Sequence, residues 1–96
     1  MDFDAQAVKI FRALADATRY HIIVLLLEKG ELGCTDFDRA FQHSKSAMSH
    51  HYRILENADL IQTQKVGQHV RIRARKDTLK KFLPGFEKAH VKIAKK

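Results

Sequence analysis

Beyond residue 60 the hydrophobic period of this chain changes from 3.6 to 2, and that change constrains its fold more than any other feature. In "VRIRAR", residues 70–75, Val70, Ile72 and Ala74 alternate with Arg71, Arg73 and Arg75, the pattern of a strand with one apolar and one basic face. "IQTQK", residues 61–65, supplies a partner strand, with Gly67 in the connecting turn. A β-hairpin with a basic outer face is therefore expected.

The rest of the chain reads as helix. Phe3, Ala7, Ile10, Phe11 and Leu14 recur at the spacing of a first amphipathic helix. Asp16 or Thr18 can cap a second, which runs to about Lys29 and stops at Gly30; its apolar centre, Ile22 to Leu27, belongs in the middle of the fold. Residues 35–41 read as a short third helix, residues 42–45 as a turn, and residues 46–57 as a fourth helix. In the tail, Leu79, Phe82, Leu83, Phe86, His90 and Ile93 return to helical spacing, with Pro84 and Gly85 dividing a short helix from a final one.

On the fourth helix, Met48, Tyr52 and Leu55 fall on one stripe and Ser46, Ser49, His50 and Arg53 on another. A merely solvated face would more often carry Glu and Lys; short hydroxyls and an imidazole suit close contact. Two helices joined by a short turn, then a basic two-stranded ribbon, make a mainly α winged helix-turn-helix plan in one domain, residues 1–96. A helix fits the major groove of duplex DNA, where base edges offer distinguishable donors and acceptors. Ser46, Ser49 and His50 would approach the bases, Lys45 and Arg53 would sit at the margins, and Gln68, His69, Arg71 and Arg73 would be wing contacts.

Charge agrees with a polyanionic partner. The 96 residues carry a net charge of +7, but residues 1–38 hold four basic and seven acidic residues, whereas residues 39–96 hold fourteen and four. The balance moves from −3 to +10 along the chain, which suits nucleic acid or an anionic membrane surface. Membrane binding is disfavoured because no basic helix also exposes a wide apolar face. RNA readers of single strands expose stacking aromatics that are missing here. An enzyme is not expected, for want of a glycine-rich phosphate loop, nucleophile elbow or paired carboxylates. A winged-helix module that binds a protein is the alternative, though its face would carry apolar anchors rather than hydroxyl, imidazole and guanidinium.

A chain this short, with 45% hydrophobic residues and no disulfide, has a modest core and often gains burial as an oligomer. The single Cys34 and the acidic start "MDFDAQ" fit a reducing cytoplasm without a signal peptide, and Ile22 to Leu27 is too short to span a bilayer.

"ALADATRYHIIVLLL", "GELGCTDF", "SKSAMSHHYRILENADLI" and "VGQHVRIRAR" resemble, in order, the successive blocks of the ArsR/SmtB family of bacterial winged-helix repressors. The likeness covers about residues 10–75, and its most specific piece is "SKSAMSHHYRILENADLI", similar to that family's recognition helix, which adds His51 to the expected DNA contacts. The resemblance implies a homodimer that pairs its first and last helices and reads a palindromic operator. Phe3, Ile10, Phe11, Phe86 and Ile93 are then the candidate dimer contacts, with plain intramolecular core as the alternative.

Arsenic-sensing members carry E-L-C-x-C-D-L, whereas "ELGCTDF" puts Gly33 and Thr35 at the cysteine places and Cys34 between them. One cysteine cannot supply a thiolate site, so Cys34 reads as a small packing residue. Asp36 nearby argues against a depressed thiol pKa. For members that bind zinc through the last helix, Asp77 and His90 have the right separation, but Leu79 and Ile93 occupy the other two places. No metal or cofactor is expected, His90 reads as a hydrogen-bonded interface residue, and any inducer is unknown. A repressor that senses metal or pH through histidine is the second alternative.

Overall fold

The computed structural model describes the backbone of residues 4–94 and the side-chain surroundings of residues 4–91. Of the expected dimer contacts, Phe3 and the side chain of Ile93 lie outside the described residues.

The chain runs α1 (Ala5–Leu14), α2 (Ala17–Lys29), β1 (Glu31–Gly33), α3 (Cys34–Ala40), α4 (Lys45–Asn57), β2 (Ile61–Val66), β3 (His69–Ala74), α5 (Lys76–Phe82) and α6 (Phe86–Ala94). Side-chain oxygens start the first helices. Asp4 accepts from the amides of Gln6 and Ala7, Asp16 from that of Arg19, and Ser44 from that of Ala47, each quenching an orphan donor of a first turn. The Ser44 cap extends α4 by one residue over expectation and makes Lys45 its first member. Gly30 ends α2 with φ at 92°, a left-handed conformation that a side chain would disfavour.

Helix α2 lies at the centre. Ile22, Ile23, Leu26 and Leu27 join Ile10 and Ala13 of α1, Phe37 of α3, Met48 and Leu55 of α4, Ile61 and Ile72 of the sheet, and Leu79 of α5 in one buried cluster. Ile10 is 1% exposed within the single chain. It belongs to the intramolecular core and leaves no surface for a second copy, which corrects its placement among the dimer contacts. The stripe of α1 that carries it was legible; the surface it packs against was not.

The hairpin forms with register Val66↔His69 next to the loop and Ile61↔Ala74 at the open end. Gly67 takes φ of 63°, and no other non-helical turn residue of the loop does, the arrangement of a two-residue type II′ connection. The sheet, however, has three strands in the order β1-β3-β2. Strand β1 pairs with β3 in antiparallel register, Glu31↔Arg73, Leu32↔Ile72 and Gly33↔Arg71. Because facing residues share a side, the row Leu32, Ile72, Thr63 turns to the core, and the rows Glu31, Arg73, Gln62 and Gly33, Arg71, Gln64 turn away from it. No described helix is long and apolar enough to cross a membrane.

Candidate nucleic-acid interface

Helix α4 is anchored by Met48 and Leu55, both buried, and by Tyr52, whose ring lies 5.8 Å from that of Phe37. This seats α4 on α1, α2 and β2, with Tyr52 reaching α3, and turns Lys45, Ser46, Ser49, His50 and Arg53 into solvent, as the spacing predicted. Gln68 and His69 are exposed at the hairpin tip. The same helix is tied to the wing at its far end, where the Thr63 hydroxyl donates to a Glu56 carboxylate oxygen at 2.8 Å.

His51 departs from expectation. Its side chain is only 15% exposed and lies between α4 and the start of α2. Arg19 Nη1 is 3.1 Å from His51 Nδ1, and since guanidinium only donates, Nδ1 accepts and the proton of the neutral ring sits on Nε2. Burial depresses the affinity of this imidazole for a second proton, and neighbouring Arg19, His43 and His50 add to that, outweighing Asp16. His51 is thus a packing residue beneath the exposed face. A signal was available: position 51 lies three residues after Met48 and four before Leu55, on the buried stripe.

Arg19 was not singled out from sequence, and it joins three helices. Its Nε donates to the Ala13 carbonyl at 2.8 Å, satisfying an orphan acceptor at the end of α1, while its own amide donates to Asp16 and its Nη1 reaches His51 on α4. Arg19→Ala is expected to lower the unfolding free energy by about 2 kcal/mol, because several charge-assisted hydrogen bonds go at once. Urea unfolding at neutral pH checks this, and Arg19→Lys, which lacks the planar fork, should recover less than half of the loss. The pH dependence has a defined sign. The folded His51 pKa lies below the ordinary 6.5, so the unfolded chain binds more protons, and the associated stability is complete above 6.5 and lost as pH falls through the lower folded value. His51→Gln should flatten that part of the profile.

Arg71 and Arg73, expected as wing contacts, are joined by a residue from another strand. Arg71 Nε donates to Glu31 Oε1 and Arg73 Nε to Glu31 Oε2, each at 2.8 Å, so one carboxylate of β1 bridges both. These hydrogen bonds hold the Glu31 carboxyl below its usual range and keep it ionised at neutral pH. Sequence reasoning missed Glu31 because its partners stand 40 and 42 residues away.

Cys34 opens α3, half-buried beside the Tyr52 hydroxyl, which is itself buried without a well-formed hydrogen bond. Burial raises the thiol pKa, Asp38 raises it further, and Tyr52 opposes them. The acidic neighbour that matters is therefore Asp38; Asp36 instead accepts from the Gly33 amide at 2.8 Å at the start of α3. His90 Nδ1 is 2.8 Å from the Tyr20 hydroxyl and its ring stacks on Phe86 at 4.3 Å, which fastens α6 to α2 of the same chain. Phe86 is accordingly half-buried within the protomer, whereas Phe11 remains 60% exposed on α1. Among the described residues, no group of three or more His, Cys, Asp or Glu side chains is placed to hold a metal ion.

The arrangement matches known proteins in both sequence and fold. Residues 16–63, from the start of α2 into β2, match the model of the bacterial regulatory protein, arsR family. The chain is 36% identical over 66 residues to the arsenical resistance operon repressor of Escherichia coli (strain K12), covering 69% of this chain and 56% of that protein. It is 37% identical over 62 residues to a cadmium resistance transcriptional regulatory protein, the CadC homolog of Staphylococcus aureus, covering 65% of this chain and 51% of that one. The chain thus spans about half the length of these curated relatives. Among solved structures, HlyU from Vibrio cholerae N16961 superposes with a TM-score of 0.77 at 24% identity, covering 96% of this chain and 95% of that one, a likeness of fold. With the matched segment running from α2 through α4 and the winged helix-turn-helix complete around it, the chain belongs to the ArsR family of bacterial regulatory proteins, transcriptional regulators rather than enzymes.

Proposed function

We propose that this chain is a sequence-specific DNA-binding repressor that acts as a homodimer on a palindromic operator. The observation that carries the reading is the exposed face of α4, where Lys45, Ser46, Ser49, His50 and Arg53 stand clear of the protein above buried Met48 and Leu55 and half-buried Tyr52. In a major groove the short side chains let the helix axis come close, His50 and the serines meet base edges, and Lys45 and Arg53 meet phosphate or guanine. The hairpin, with Gln68 and His69 at its tip, follows the flanking backbone.

Phe11 on α1 is the exposed apolar side chain that suits pairing with a second copy, and α6 would complete the interface. A two-fold axis then sets the half-sites about one helical turn, roughly 34 Å, apart. Ligation by a thiolate pair is not part of this reading, since Gly33 and Thr35 occupy the two places. On this reading the protein represses by occupying a promoter, in the cytoplasm.

Selection from a random duplex library, at near-physiological salt and with and without a chelator, tests the reading. The expected product is an inverted repeat bound by a dimer and indifferent to the chelator. No enrichment over random DNA would overturn sequence-specific binding and favour a protein partner for α4, and enrichment that needs metal would contradict the metal-free reading.

A further inference from the structure

Glu31 is the one acidic side chain on the outward face of the sheet among the described residues, and it sits where a DNA-binding wing gains nothing from negative charge. We infer that Glu31 is a positioning residue for the wing: its carboxylate bridges Arg71 and Arg73 and presents both guanidiniums to a nucleic-acid phosphate backbone. The inference rests on the DNA-binding reading and deepens it.

The geometry distinguishes presentation from simple neutralisation. Each arginine spends only its Nε on Glu31, and neither donates a hydrogen bond from its terminal Nη groups to any described residue. Four NH2 ends therefore stay free for phosphate oxygens, in planar forks whose orientation is already set. The support beneath them is rigid. Glu31 faces Arg73 directly across β1 and β3, Arg71 lies over Gly33 in the next row, and β3 is the central strand, held on both edges. Gln62 and Gln64 face Arg73 and Arg71 from β2, so the guanidiniums are flanked by neutral amides. Free arginines on a hairpin lose rotamer freedom when they bind; a pair already clamped loses less, so its phosphate contacts are retained more fully in the measured affinity. The carboxylate costs some Coulomb attraction to DNA, but it is only half-buried and still screened, and both cations remain charged.

Charge and positioning predict opposite signs, which makes the inference testable on a random-sequence duplex. Removing a negative charge near DNA should tighten binding and leave Glu31→Ala and Glu31→Gln alike. Positioning predicts the reverse: Glu31→Ala weakens binding about tenfold, and Glu31→Gln, which still accepts from one arginine, falls between it and the wild type. The slope of log affinity against log salt should also decrease in Glu31→Ala, by about one unit for each arginine contact loosened. In an Arg71→Ala/Arg73→Ala background, Glu31→Ala should cause no further loss; an equal loss there would mean that Glu31 merely supports the fold. Thermal unfolding of each variant monitors the fold, and the Gln variant carries the test should the Ala variant be unstable. If the wild type binds with steep salt dependence and Glu31→Ala binds more tightly, this inference is wrong while the DNA reading stands. If the wild type binds no duplex, it is the DNA reading that fails.

Discussion

Replacing Phe37 with alanine is expected to lower the unfolding free energy by about 3–5 kcal/mol, the range for deleting a large buried ring. The ring is fully buried, packs within 6.4 Å of Phe41 and 5.8 Å of Tyr52, and is the part of α3 that holds α4 in place. Its loss removes the transferred apolar surface and leaves a cavity that α3, only two turns long, cannot close without dragging the turn to α4 with it. A domain with about 5–15 kcal/mol of total stability would be left near its unfolding threshold. Urea unfolding followed by circular dichroism measures this, with Val66→Ala as the comparison. Val66 is 53% exposed at the wing tip, and its truncation should change stability by less than about 0.5 kcal/mol. A Phe37→Ala variant within about 1 kcal/mol of the wild type would mean that the helix-turn-helix is not held by this ring.

Ser49→Glu is expected to leave stability within about 0.5 kcal/mol and to weaken binding to the selected operator at least about a hundredfold. Position 49 is exposed in the interior of α4, where glutamate is a good helix former, so the fold has no reason to change. At the groove floor the same carboxylate would lie against acceptor-rich base edges and close to phosphates, unpaired and desolvated, once in each half-site. Fluorescence anisotropy on the operator and thermal unfolding of the free protein separate the two effects. Retained affinity would take α4 out of the groove.

What was legible in the sequence followed from local periodicity. The exposed face of α4, its buried partner stripe, the hairpin and the break at Pro84 and Gly85 all depend on spacings within one element, and the structure places them where those spacings require. Strand β1 was not legible, because three residues are too few to display a period of 2 and it is held only by pairing with β3, some forty residues later. For the same reason the alternation in "VRIRAR" gives no sign of Glu31, which bridges Arg71 and Arg73. Ile10 and His51 show a different limit. Periodicity says that a side chain points inward from its helix, but Ile10 is buried against its own chain rather than a second copy, and His51 is held by Arg19 from a helix 32 residues earlier. Arg19 itself carried no pattern at all; its role comes from the end of α1, the start of α2 and the middle of α4, which meet only in the folded chain.

Amide chemical shifts of the labelled protein, followed while duplex operator is added, report which face meets the DNA. The largest changes should fall on Lys45, Ser46, Ser49, His50 and Arg53 of α4 and on Gln68 and His69 of the wing, while α1 and α6 change little. Largest changes on α1 and α6, with α4 unmoved, would contradict it.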